Sequence, residues 1–416
     1  MRLYLALLAL FVLAATAMAA DLPWPRWRGP NDSGSVADGK YPANLLDEKK
    51  LNWKVKLPGI GCSTPAVLSD RIFVTCPVDG HNGVIALDWQ GKEQWRTKLG
   101  EERRGKHRNG SAANSSPVTD GNFIFAYFKS GELATLDLSG KLLWTTNLQT
   151  RFAKDTLYWD VGTSPIVTEK AVIVATMHSG ESYLAAFEKA SGELLWKVSR
   201  NYQTPVEGDH SYATPIVVKR DGREILLVWG AEHLTAHSTD DGKTLWSCGG
   251  FNPDRKGNWV QVASAVVDGD MAVVPYGRGA RIAGIKLDGT GDVTATHRVW
   301  THDDLGSFVP SPVAYQGNVY VVRDEGEVVC LNIKTGATVW IDRLPKNRNK
   351  YYASPMIAGG RMYAPREDGV VFVADVQDGF KLVSENDMQE RIIASPVAVS
   401  GKLLIRGEEH LYCFSE

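Results

Sequence analysis

Several things are scarce in this chain, and each scarcity removes a class of function. The charge nearly cancels: 46 Lys and Arg face 48 Asp and Glu, a formal net charge of −2. No global field therefore recruits a nucleic acid or an anionic membrane surface. Cysteine is rare, five in 416 residues. There is no Cys-x-x-Cys, no Cys-x-x-Cys-His haem attachment motif, no adjacent Cys pair and no His/Cys cluster with metal-ligand spacing. An odd number cannot all pair within one chain. Cys62 and Cys76 flank a predicted hairpin and either meet across it or stay separate thiols. Cys330 and Cys413, in VVCLN and LYCFS, read as small buried fillers. A convincing helical period is missing throughout.

The one long apolar run stands at the start. Arg2, then LYLALLALFVLAATA, then the small-x-small site Ala17-Met18-Ala19 read as a secretory signal over residues 1–19. The run is short for a membrane span and a polar chain follows, so no span is expected after cleavage. No Cys lies at the cleavage point, so a bacterial lipid anchor is not signalled. The expected product is exported, periplasmic or extracellular, and monomeric. Residues 20–50 form an N-terminal extension. Within the next stretch the basic cluster RRGKHR, 103–108, reads as a solvated loop.

What is present is a repeat. A Ser/Thr-Pro-apolar signal occurs at Thr64-Pro65, Ser116-Pro117, Ser164-Pro165, Thr214-Pro215, Ser311-Pro312, Ser354-Pro355 and Ser395-Pro396. Ser264-Ala265-Val266 fills the one double-length gap, which makes eight units spaced about 41–52 residues apart. Each unit reads as four short strands separated by Gly-rich turns. In five units a Gly lies four residues before a Trp, as in Gly140 and Trp144. Unit five is stretched between Gly291 and Trp300, and unit seven has Val383 where Trp is expected. The eighth unit, ending HLYCFS, lacks a fourth strand. LNWKVKLP at 51–58 is a fourth strand without a unit. Pairing 51–57 with 410–415 closes the set and removes two open sheet edges. The expected fold is all-β: a single eight-bladed β-propeller over residues 51–416.

The units LDLSGKLLW, FEKASGELLW and LNIKTGATVW resemble the repeat of the quinoprotein, or PQQ-like, β-propeller superfamily, across about residues 51–416. The leader PWPRWRGPNDSG is similar to that of exported bacterial PQQ-like repeat proteins. The resemblance implies that Trp53, Trp95, Trp144, Trp196, Trp246, Trp300 and Trp340 dock between blades. Their bulk suits that role, since a Trp buries a large area between two sheets.

Ligands of propellers usually use the funnel at one end of the axis, and the long aromatic connections between blades are expected to line it. Five residues before each signal Pro, the units vary from Ile60 to Arg391. That variation singles out Asp160, His210, Lys350 and Arg391 as funnel residues, with Tyr158, Trp159, Tyr212, Trp259, Gln261 and Tyr351 as walls. A charged ring of turns, including Lys129, Glu367 and Arg406, reads as a protein-docking rim. The superfamily includes PQQ- and calcium-dependent dehydrogenases of alcohols or sugars, and a non-enzymatic periplasmic lipoprotein of outer-membrane assembly. The expected function is a non-catalytic binding or scaffold propeller for an envelope protein or small ligand, with no cofactor and no metal. The alternative is the dehydrogenase, with Asp160 or Asp304 as base and Lys350 and Arg391 gripping the PQQ carboxylates.

Overall fold

The computed structural model describes residues 23–416. The leader read at 1–19 lies outside them. Eight antiparallel sheets follow one another around an axis, an eight-bladed propeller. Blade 2 shows the plan: Val118–Thr119 innermost, then Phe123–Tyr127, Glu132–Asp137 and Leu142–Asn147 outermost. The two middle strands are buried on both faces, which is why they read as near-continuous apolar runs. The outer strands alternate, with one face toward water.

The closing blade is built from both ends of the chain. Leu51–Lys56 pairs antiparallel with His410–Ser415, with Trp53 opposite Cys413. Arg406 of the same blade adds a second clasp: its buried guanidinium donates to Ser63 O (2.7 Å) and Thr75 O (2.9 Å) of blade 1.

In every blade the outer strand slips register by one residue near the Trp position. The bulge turns the indole toward the neighbouring blade. Trp53, Trp95, Trp144, Trp196 and Trp300 donate their indole N–H to Trp89, Leu138, Lys189, Thr239 and Ile333 carbonyls of the next blade, at 2.9–3.0 Å. The turn Gly of that next blade lies under the ring: a Cβ at Gly140 (φ +87) would sit 2.5 Å from Trp95 Cδ2. Trp340 instead packs beside Phe380, centroids 5.8 Å apart.

Both irregular units have a structural use. In unit five the extra residues place Gly291–Asp292 as a fifth strand parallel to the outer strand of blade 4, over Trp246. In unit seven the bulge skips Val383, so Ser384, opposite Val373, holds the Trp register. The N-terminal extension fills the gap left there. Tyr41 and Leu45 are buried against blades 7 and 8. Ser384 Oγ (2.5 Å) and Asn386 Nδ2 (3.2 Å) both donate to Ala43 O, and Leu45 N donates to Asn386 Oδ1 (2.7 Å).

All five cysteines are free thiols, so Cys62 and Cys76 do not join. No helix among the described residues is long and apolar enough to cross a membrane.

Candidate functional site

The hydroxyl that precedes each signal Pro faces the axis and joins neighbouring blades. Thr64 N donates to Ser116 Oγ (2.9 Å), Ser116 N to Ser164 Oγ (2.9 Å) and Ser164 N to Thr214 Oγ1 (3.0 Å). Thr214 N donates to Ser264 Oγ (2.9 Å), Ser264 N to Ser311 Oγ (2.8 Å) and Ser311 N to Ser354 Oγ (2.9 Å). Ser395 N closes back on Thr64 Oγ1 (3.1 Å). Each link is worth about 0.5–1.5 kcal/mol net, and the ring satisfies buried amides that no strand partner reaches. At the one joint without such a link among the described residues, Ser395 Oγ accepts the indole N–H of Trp27 (3.2 Å).

Trp27 belongs to a segment that crosses the axis below the ring. The Trp24 backbone pairs with Val67 of blade 1, and Thr119 N of blade 2 donates to Pro25 O (2.9 Å). Arg28 then donates to Pro312 O (2.9 Å) and Pro355 O (3.0 Å), and Ser35–Val36 runs parallel to Met356–Ala358 of blade 7. Burial lowers the Arg28 pKa to about 10, with Asp32 opposing the shift, so the guanidinium stays charged at neutral pH. Asp32 is also buried and is held by Arg26 at 2.9 Å.

Above the ring lies an axial cavity of about 370 Å³. Connections entering all eight blades line it, Trp27 and the hydroxyls form its floor, and Trp159, Tyr212, Phe308 and Tyr352 form aromatic walls. Arg278 enters from the turn between the middle strands of blade 5, its guanidinium 4.5 Å from the Phe308 centroid.

Of the ten funnel residues read from the repeat, Asp160, Trp159 and Tyr212 line this cavity. Asp160 is the one acid among the described residues of the lining, and it is fully engaged. Lys129 Nζ forms a short ion pair with it, and the backbone N–H groups of Lys106 (2.8 Å) and His107 (3.1 Å) donate to it. Trp159 is half exposed and meets His107 edge-on at 4.9 Å. Tyr212 accepts the Trp159 N–H at its hydroxyl (3.1 Å).

The other seven sit outside the lining. His210 is buried, its Nε2 beside Ser179 Oγ (2.9 Å), with Tyr158 edge-on at 4.7 Å; burial lowers its pKa. Lys350 pairs with Glu325 (2.7 Å) on the exposed rim. Arg391 donates to Arg108 O (2.9 Å) and reaches Glu408 at 3.4 Å. Trp259 is buried with its N–H on Phe251 O (2.7 Å), Gln261 is buried beneath it, and Tyr351 is buried in blades 6 and 7. Asp304 is not in the lining either. The physical reason is the repeat position: the residue three before the signal Pro meets the axis in every unit, as Gly162, Tyr212 and Tyr352 do, whereas of the eight residues five before it Asp160 alone reaches the cavity.

The basic cluster is solvated, with Arg103, Arg104, Lys106 and Arg108 exposed, and its backbone forms an organised strap. Its backbone is held by Asp160, while Arg108 (3.1 Å) and Asn109 (3.1 Å) reach the buried Glu367 of blade 7. Lys350 N also donates to Glu367 (3.0 Å). Several residues read as a charged docking rim, Lys129, Glu367 and Arg406 among them, are therefore buried connectors. Trp27, Phe308 and Tyr352 escaped the repeat argument; the paired Trp and Arg in PWPRWRGP and the aromatics shortly before Pro312 and Pro355 were the available signals.

The family model described as outer membrane protein assembly factor BamB matches residues 36–152, 140–297 and 287–414. The chain belongs to that family. A BamB of Moranella endobia is 24% identical over 359 residues, covering 83% of this chain and 84% of that protein. The solved BamB of Moraxella catarrhalis superposes with a TM-score of 0.62 at 18% identity, over 88% of this chain and 98% of the other. A europium-containing methanol dehydrogenase superposes with a TM-score of 0.69 at 12% identity, over 95% and 98%. At such identities the two superpositions speak for the fold alone. BamB-family membership and a propeller shared with dehydrogenases leave the decision on function to the cavity.

Proposed function

We propose that this protein is an exported, non-catalytic binding propeller of the bacterial envelope, which engages an envelope protein or a small ligand through the axial cavity and its surrounding loops. One observation carries the reading. The sole acid among the described lining residues, Asp160, is consumed by Lys129 and two backbone amides. A dehydrogenase of the quinoprotein kind needs a carboxylate free to take the substrate proton, and oxygen ligands for a cation that polarises the quinone. Among the described residues no group of three or more His, Cys, Asp or Glu side chains is placed to hold a metal ion. The lining does not fit a calcium-held quinone. The curated relatives named as outer membrane assembly factors support a periplasmic scaffold role.

The test has two arms. Purified protein is mixed with PQQ and Ca²⁺ and assayed for dye reduction with alcohols and sugars. No turnover is expected, and turnover would overturn the reading. Crosslinking in intact cells is then expected to join the propeller to components of outer-membrane protein assembly. Crosslinks confined to unrelated soluble proteins would sink the scaffold role.

A further inference from the structure

We infer that the axial cavity binds a small aromatic carboxylate, its carboxylate on the serine ring of the floor and its ring against the Trp159 wall. The inference rests on reading the cavity as a ligand site and adds the chemistry of the ligand.

The floor is made of protons without acceptors. Ser116, Ser164, Ser311, Ser354 and Ser395 line the cavity, and each spends its oxygen on an incoming N–H. None of these five hydroxyls donates to a described protein atom. A hydroxyl carries one proton as well as its lone pairs, and a buried donor without a partner is costly. Repetition around the axis directs the same unmet need toward one place.

The charge around the floor has the matching sign. Beneath it lies the Arg28 guanidinium, bonded to the carbonyls next in sequence to Ser311 and Ser354. Its nearest acid, Asp32, is already shared with Arg26. Near the mouth His107 Nδ1 accepts the Asn109 N–H (3.1 Å), which leaves Nε2 to carry a ring proton and act as a further donor. The acid of the described lining, Asp160, is neutralised by Lys129. The cavity thus offers donors around its floor, the Arg278 guanidinium in its wall and a single unpartnered acceptor, Asn109 Oδ1, with no free negative charge among its described residues. A carboxylate, with two oxygens able to accept several bonds at once, fits that set, and an ammonium does not.

The walls define the rest of the molecule. Trp159, Tyr212, Phe308 and Tyr352 present aromatic surface above the hydroxyls. The volume, about 370 Å³, is at the small end for ligand sites. It suits one ring system with a short acidic arm.

Calorimetric titration of the full chain with phenylacetate and indole-3-acetate, against their neutral amides, tests this. The acids are expected to bind about tenfold or more tightly than the amides. Trp159→Ala, a change at a half-exposed side chain, should weaken binding about tenfold with little change in Tm. Ser354→Ala should reduce the preference for acid over amide, and Ser354→Thr should restore it. Equal affinity for acid and amide would overturn the carboxylate assignment while leaving the cavity a ligand site. Binding unchanged in Trp159→Ala would overturn the location. No binding by any of the four compounds would overturn the inference, and the floor would be a site for ordered water alone. None of these results bears on turnover with PQQ, which tests the non-catalytic reading separately.

Discussion

The indole nitrogen of Trp27 lies 3.2 Å from Ser395 Oγ, although 368 residues separate the two in sequence. Ser395 stands where a ring of blade-to-blade hydroxyl links is interrupted, and Trp27 takes up the free acceptor. The same contact gives the axial cavity its floor. The N-terminal extension thus acts on two parts of the ring: residues 24–36 plug the axis, and Tyr41 and Leu45 fill the one interface whose outer strand has no Trp.

Arg28 anchors the plug on two carbonyls of different blades. Arg28→Met leaves both acceptors buried without a partner and is expected to destabilise by about 3 kcal/mol. Arg28→Lys keeps the charge but loses the fork geometry, so it should fall between. Urea denaturation measures both, and an Arg28→Met variant as stable as the parent would refute the anchoring role.

The tryptophans should differ from one another. Trp300 is buried and donates to Ile333 O, so Trp300→Ala should cost about 3–5 kcal/mol. Trp340 is half-buried and its N–H has no partner among the described residues, so Trp340→Ala should cost clearly less. Equal losses in chemical denaturation would show that burial and the indole bond are not what sets the cost.

Lys129 and Asp160 form a buried ion pair that holds the strap. Asp160→Asn or Lys129→Met alone strands a charge and should cost about 3–5 kcal/mol. The double change should cost less than the sum, with a coupling of at least about 1 kcal/mol in a double-mutant cycle. Strict additivity would argue against the pair.

His237 predicts a loss of stability in acid. Burial, and then the nearby Arg200 guanidinium, lower its pKa from 6.5 to about 4. Its Nδ1 faces Gly242 O (2.9 Å) and its Nε2 faces Thr235 Oγ1 (2.8 Å), a set that suits the neutral ring. Because the folded value lies below the unfolded one, the contribution is fully present above about pH 6.5 and is lost as pH falls through about 4. It amounts to up to about 3 kcal/mol. The His237 ring resonances should stay in the neutral position at pH 5 by NMR, whereas titration near 6.5 would contradict the burial argument.

Much of the fold was legible because each blade solves the same packing problem with the same residues. The period of Ser/Thr-Pro signals, the Gly-to-Trp spacing and the unmatched strand at 51–58 depend only on local chemistry: a turn that needs positive φ, a strand that alternates, an edge that must be covered. Those features determined eight blades and the clasp between Trp53 and Cys413. The site was less legible. Position in the repeat placed Asp160, Trp159 and Tyr212 at the cavity but also selected His210, Lys350 and Arg391, whose side chains turn to partners in neighbouring loops. A residue's place along a strand does not say which way a long connection folds back. Nor does it say that Arg28, far from any repeat, will enter the axis. Those outcomes depend on contacts between segments hundreds of residues apart, and only closure of the ring brings them together.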